Sequence, residues 1–340
     1  MPLGPEAGRA AGRGFAGVRC YFRTRTRGRV SPALTVFALL TAWALPVGAR
    51  TLTVTQGAAP FPPEELQSGT TSTAEQCAGV PLAVWVVVDG RGDCIRYYAA
   101  NLKRGSNPDV LLFMSGDRLA GRTVMGSYLR DSPDGLQREA ERLSREAGHR
   151  PYVILARPGA YGSSGSHVER RRPREGRLVT AAFEAIKAKY GVQTFHIAGQ
   201  SGGGGLVATM LNMRSDIGCA VTASGAVSVF MRARLLNQSR DTTGFTDSYD
   251  PVEHVGTIVP RPGLRIIVLA DRADQTVPFA SQEHYVIELQ KVGLSPLLLE
   301  LNASGSKSHS LDEPAKQVLA LCVQGATDSQ IAAKLRAHGR

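Results

Sequence analysis

Thr194-Phe195-His196-Ile197-Ala198-Gly199-Gln200-Ser201-Gly202-Gly203 joins a short β-prone run to a Gly-x-Ser-x-Gly motif, and helix-forming sequence follows from Gly204 to Met213. A serine on a sharp strand-to-helix turn is held in a strained backbone conformation with its hydroxyl exposed. Gly199 and Gly203 are needed there because side chains at either position would collide with the neighbouring strand or helix. The turn also sets Ser201 at a helix N-terminus, where the macrodipole favours developing negative charge. The alternative is a glycine-rich turn with Ser201 as a plain helix cap. The motif alone decides little; the strand before it and the helix after it give it weight.

Working outward, seven further runs share the apolar, β-branched texture. They are Leu82–Val88, Ile95–Ala99, Val110–Met114, Tyr152–Ala156, Cys219–Ala223, Leu264–Ala270 and Leu297–Leu301. From Val110 onward most are near-continuously apolar, as strands buried on both faces of a parallel sheet must be. The first two lie close together and fit an antiparallel hairpin. Helical stretches fill the gaps at Asp134–Ala147, Arg177–Tyr190, Gly204–Met213, Ser281–Val292 and Asp312–Val323. Such alternation predicts an α/β fold: a mostly parallel eight-stranded sheet with helices on both faces. The stretch 227–263, between the sixth and seventh strands, carries no clear strand and is expected to form a small lid.

A serine nucleophile needs a base, and the base needs an orienting group. After a strand–serine–helix turn of this kind the acid and then the histidine follow in chain order. Asp274 sits after the seventh strand in Asp-x-x-Val-Pro, with Asp271 as its competitor at the strand tip. His309 follows the eighth strand and precedes a helix, whereas His149, His254, His284 and His338 have no matching position. His196 lies in the strand leading to the serine and is expected to pack in the sheet. Two backbone N–H groups should form an oxyanion hole. One is that of Gly202; the other falls in Ser115-Gly116-Asp117, with Asp117 preferred and Gly116 second. A carboxylate there is expected to turn away, or to pair with Arg118 or Arg122. The loop Arg157–Gly165 lies at the same sheet edge and either shapes the pocket through Tyr161 or is a plain turn.

Together these residues resemble the α/β-hydrolase superfamily over roughly residues 81–325. The resemblance implies acyl transfer to Ser201, with His309 as general base and then acid, and Asp274 holding the imidazole. It also implies that Gly202 and the Gly116/Asp117 region stabilise the tetrahedral intermediate. Tyr249-Asp250-Pro251 is similar to the small-lidded peptidase and esterase branches. Ser115 departs from the many relatives that place His before the oxyanion glycine, which leaves the second donor open.

The remaining readings concern compartment and partners. The chain has 340 residues and a formal charge of +11. Seven arginines against Glu6 place +6 of that charge in residues 1–49, leaving +5 (11 − 6) for the rest. The excess therefore belongs to a targeting segment, not to a nucleic-acid surface. An apolar run, Ala33–Ala49, follows the basic region and ends in small residues, the pattern of a signal peptide. A membrane anchor is the alternative, at the short limit of a spanning helix and with Pro46 inside it. Export, periplasmic or secreted, is expected. Cys20 would leave with the leader, and Cys77, Cys94, Cys219 and Cys322 remain. Four cysteines allow three connectivities. Cys77–Cys94 and Cys219–Cys322 are favoured, with free thiols as the alternative. Residues 50–80 read as a linker or N-terminal arm, 81–325 as the hydrolase domain and 326–340 as a tail. No phosphate loop, dinucleotide fingerprint or metal constellation appears, so no cofactor and no metal are expected. The expected activity is cleavage of a carboxylic ester or small amide. A peptidase with the same residues, using Asp241, Asp247, Asp250 and Glu253 to anchor a peptide terminus, and an inactive binding homologue are the alternatives. The partner in each case is a small molecule or a peptide.

Overall fold

The computed structural model describes residues 50–338, so the leader expected over 1–49 lies outside the described residues. All eight expected strands form, and they join one sheet. They are β1 (Ala83–Val88), β2 (Arg91–Ala100), β3 (Asn107–Met114), β4 (Tyr152–Leu155), β5 (Val192–Gln200), β6 (Ile217–Ala223), β7 (Arg265–Ala270) and β8 (Leu297–Glu300). Their spatial order is β8-β7-β6-β5-β3-β4-β2-β1. Only the β1–β2 and β2–β4 pairs are antiparallel; the other neighbours are parallel. The burial patterns explain this. β4 and β6 are buried at every residue, as interior parallel strands require. β1 alternates and leaves Val87 60% exposed, as a strand at the sheet edge can.

Nine α-helices surround the sheet among the described residues: α1 (Pro63–Ser68), α2 (Ala74–Ala78), α3 (Pro133–Glu146), α4 (Pro173–Tyr190), α5 (Gly202–Met213), α6 (Val229–Leu235), α7 (Phe279–Lys291), α8 (Asp312–Val323) and α9 (Asp328–His338). One apolar layer holds Leu178, Phe183 and Ile186 of α4, Leu206 and Met210 of α5, and Tyr285 and Leu289 of α7. The opposite layer holds Leu143 of α3, Val318 and Leu319 of α8, and Ile331 and Leu335 of α9. The sheet is thus covered on both faces. Local chemistry sets the helix ends. Ser132 caps α3 by accepting from Gly135 N at 3.2 Å, with Pro133 in the first turn. Gly191 ends α4 in the left-handed conformation, at φ 65°.

The two terminal stretches carry local structure. The arm at 50–80 forms α1 and α2 and buries Phe61 and Leu66 beside Tyr98 and Tyr128. The tail at 326–340 is helical over Asp328–His338, where Ile331 and Leu335, four residues apart, enter the core. Both cysteine pairs are disulfides: Cys77–Cys94 ties α2 to β2, and Cys219–Cys322 ties β6 to α8. Among the described residues, no helix is long and apolar enough to cross a membrane.

Candidate active site

The site lies at the carboxyl ends of β3, β5, β6, β7 and β8, where parallel strands deliver their loops to one crevice. Ser201 stands between β5 and α5 at φ 56°, ψ −119°, a conformation that non-glycine residues rarely hold. Hydrogen bonds to the end of β6 and the loop after it maintain it. Ser201 N donates to Ala223 O at 2.9 Å, and Ala226 N donates to Ser201 O at 3.1 Å. The flanking glycines are sterically required. A Cβ on Gly199 would sit 2.3 Å from Gly203 O, and one on Gly203 would sit 2.1 Å from Met114 O.

The structure brings Ser201, His309 and Asp274 into one hydrogen-bonded chain. His309 Nε2 lies 2.9 Å from Ser201 Oγ, and His309 Nδ1 lies 2.8 Å from Asp274 Oδ2. With Nδ1 donating to the carboxylate, Nε2 is left to accept a hydrogen bond from the serine hydroxyl. The other oxygen of Asp274 accepts from Thr276 N at 2.7 Å and Val277 N at 2.9 Å, so the acid is fixed on both sides. The His309 loop is held by Gln200 Nε2, which donates to His309 O at 2.9 Å. Asp271 stays outside this chain. Its oxygens accept from Ala273 N and Ala303 N and staple the loops after β7 and β8. His196 is bound within the sheet, its Nδ1 accepting from Cys219 N at 3.0 Å.

The oxyanion candidates also converge. Gly202 is the first residue of α5, so its N–H has no partner within the helix. Gly116 lies against the serine: a Cβ there would come within 3.1 Å of Ser201 Cβ. Asp117 follows, and its side chain corrects the sequence reading. It pairs with neither Arg118 nor Arg122. The β3 loop runs beside the end of β4 and the start of α4, and the arginines of those two places reach it first. Arg157 Nη1 meets Asp117 Oδ1 at 2.8 Å, Arg170 Nε meets Oδ2 at 3.0 Å, and Arg171 Nη1 donates to Oδ2 as well. Burial alone would raise the Asp117 carboxyl, but Arg171, Arg157 and Arg170 hold it well below the usual carboxylate range. The carboxylate lies so close to Gly202 that a Cβ there would come within 2.0 Å of Oδ1. Three guanidiniums thus outweigh a charge that would otherwise oppose an oxyanion.

The network extends further. Arg157 also pairs with Glu175 at 2.7 Å, and Arg171 Nε pairs with Asp241 Oδ2 at 3.1 Å. His167, buried among these cations, is pushed well below its usual range by burial and by Arg157, and accepts from Arg118 N through Nε2. The sequence reading gave no role to Arg157, Glu175 or the run Arg170-Arg171-Arg172. The signal was present in that run, placed immediately before a helix at the sheet's carboxyl end. Tyr161, offered as a pocket contact, instead packs with Phe61 and Tyr128 and donates to Asp131 Oδ2 at 2.9 Å. The stretch 227–263 supplies Arg232 and Thr242 to one wall of a cleft of about 610 Å³ that opens at Ser201 and His309. Three of its four acids are engaged; Glu253 is exposed. Asp250 accepts from Val229 N and Phe230 N at the start of α6, and Asp247 pairs with Arg172 at 2.8 Å.

Strand order, direction and the placement of the serine turn define an α/β-hydrolase fold. Comparison with solved structures agrees. The esterase Pf2001 of Pyrococcus furiosus matches with a TM-score of 0.52 at 11% identity, over 82% of this chain and 99% of that one. The protein AbyA5 matches at 0.51 and 12% identity, over 75% and 70% of the two chains. An acylaminoacyl peptidase of Pyrococcus horikoshii gives a TM-score of 0.48 at 12% identity over 70% of this chain and 39% of its own. No family model and no curated protein sequence matches the chain.

Proposed function

We propose that the protein is a serine hydrolase that cleaves a carboxylic ester or small amide. The observation that carries the proposal is the chain Asp274–His309–Ser201, closed at 2.8 and 2.9 Å on a strained strand-to-helix turn. In this reading Ser201 Oγ attacks the scissile carbonyl carbon while His309 Nε2 takes the hydroxyl proton. The carbonyl oxygen becomes an oxyanion held by the N–H groups of Gly202 and Asp117, with Gly116 as the other candidate in that loop. Collapse expels the alcohol or amine, which receives the proton from His309, and leaves an acyl-serine. Water, deprotonated by the same nitrogen, then releases the acid and restores Ser201. Asp274 holds the ring and offsets its charge while it is imidazolium. A Pyrococcus esterase with the same fold supports the hydrolase class.

The peptidase reading has little support from the lid acids, because Asp241, Asp247 and Asp250 are already engaged with Arg171, Arg172 and the α6 amides, which leaves Glu253 alone, not the paired acids a peptide terminus would need. Esters are therefore preferred. The two disulfides and the basic–apolar leader support an exported protein, since such bonds persist in oxidising compartments. Steady-state kinetics on short-chain esters tests the activity. Wild type should turn over, and His309→Ala should lose at least about a thousandfold in kcat. Equal turnover by wild type and His309→Ala would refute the mechanism.

A further inference from the structure

The cleft in front of Ser201 is lined by five cationic side chains, Arg118, Arg170, Arg171, Arg232 and Lys307, against two acidic ones, Asp117 and Asp312. Arg170 and Arg171 spend their charge on Asp117 and Asp241. Arg232 does not. It is 6% exposed, projects from α6, and donates through Nε to Thr276 O at 2.8 Å and through Nη1 to Thr242 Oγ1 at 3.2 Å. Its nearest carboxylate, Asp241, is 3.6 Å away and is already bound by Arg171 Nε and by Thr243. Nη2 of Arg232 has no hydrogen-bond partner among the described residues and keeps some exposure, and Arg232 lines the cleft. Asp241, Asp117 and Asp274 attract it, but burial and Arg171 outweigh them, and the oxygens of Asp274 are taken by His309 and the amides of Thr276 and Val277.

A guanidinium held nearly buried beside a second guanidinium is under electrostatic stress. Burial and the neighbouring Arg171 push Arg232 down to about 10. Such a group gains most from an anion that arrives with the substrate, since each partner then offsets the other's desolvation. Arginine also suits a carboxylate better than lysine does, through its planar, fixed donors. Lys307, exposed on the same cleft and without an ion pair among the described residues, adds attraction at the rim.

We propose that the cleft selects substrates bearing a carboxylate, which Nη2 of Arg232 receives while the scissile carbonyl lies at Ser201. This rests on the serine-hydrolase reading and narrows it to esters of anionic character.

The test compares matched pairs by titrating the acid released. Ethyl hydrogen glutarate is set against ethyl pentanoate, and para-carboxyphenyl butanoate against phenyl butanoate. The two pairs place the anion on the acyl and the alcohol side. In wild type at least one pair should favour its carboxylate member in kcat/KM. Arg232→Gln should cut that preference by about ten- to a hundredfold, the range for a charge-assisted hydrogen bond, mainly through KM. Arg232→Lys should restore part of it. Neutral members preferred in both pairs, or a preference unchanged in Arg232→Gln, would overturn the proposal. A readout independent of any variant is protection of wild type. Glutarate should slow fluorophosphonate labelling and the uncharged glutaramide should not; equal effects would overturn it. Folded wild type that neither labels nor turns over any ester overturns the hydrolase reading, and this inference with it. Labelling with neutral preference overturns this inference alone.

Discussion

Asp117→Asn removes one negative charge from the centre of three guanidiniums and changes almost no volume. In the wild type, Arg157 and Arg170 meet the carboxylate at 2.8 and 3.0 Å, and Arg171 meets it as well. The asparagine amide offers one acceptor in place of two, and turns N–H donors toward cations. Removing one partner of a buried ion pair costs about 3–5 kcal/mol, because the other charge stays buried and uncompensated. Glu175 and Asp241 remain to offset Arg157 and Arg171, so the lower part of that range, about 3 kcal/mol, is expected. For a domain of this size that is roughly a 5 °C fall in Tm. The pH dependence has a definite sign. The folded carboxyl sits well below its usual range, so its contribution is present above that range and is lost as pH falls through the folded value. The gap between wild type and variant should therefore persist at neutral pH and close only in strong acid. Relieving the repulsion by adding Arg170→Met should recover at least about 1 kcal/mol. Urea denaturation of the single and double variants reads these values. A single variant within about 1 kcal/mol of wild type at pH 7 would refute the claim that Asp117 holds the arginine cluster together.

Three further outcomes follow from the same contacts. Asp274→Asn should reduce kcat by about 10⁴, as loss of the ring-orienting acid does in serine hydrolysis; Asp271→Asn, which touches only Ala273 N and Ala303 N, should act on stability far more than on kcat, and kinetics on both variants decides. Burial pushes the Glu65 carboxyl up to about 8 from an ordinary 4.5, so the fold favours its protonated form, and stability should fall by about 1.4 kcal/mol per pH unit as pH rises from about 4.5 to about 8. Glu65→Gln should flatten that slope in thermal melts taken across the window. Reduction of Cys219–Cys322, which closes a loop across 103 residues, should lower stability by about 2–5 kcal/mol, measurable as a Tm shift between oxidised and reduced protein.

The central sheet was legible because its strands are buried on both faces and so read as uninterrupted apolar runs between polar helices. β6, buried at all seven residues, is the clearest case. Ser201, Asp274 and His309 were legible for a related reason. Each follows a strand's carboxyl end, and the topology gathers those ends in one crevice. The arm and the last helix were not legible, because each is anchored by few residues. Leu52, Phe61 and Leu66 have neither strand nor helix period, and Ile331 and Leu335 make a single i, i+4 pair in a polar stretch. The partners of Asp117 were hidden for a third reason. Arg118 and Arg122 are near in sequence, but a salt bridge follows spatial proximity, and Arg157, Arg170 and Arg171 lie 40 to 54 residues away along the chain. Arg232 was hidden in the same way, since its significance depends on how its neighbours spend their own charges.

The most direct test of the central claim is labelling by a fluorophosphonate, which phosphonylates only an activated serine. The adduct should form on wild type, map by mass to the peptide containing Ser201, and vanish in Ser201→Ala. Folded wild type that stays unlabelled, or an adduct that persists in Ser201→Ala, would contradict the assignment of Ser201 as the nucleophile.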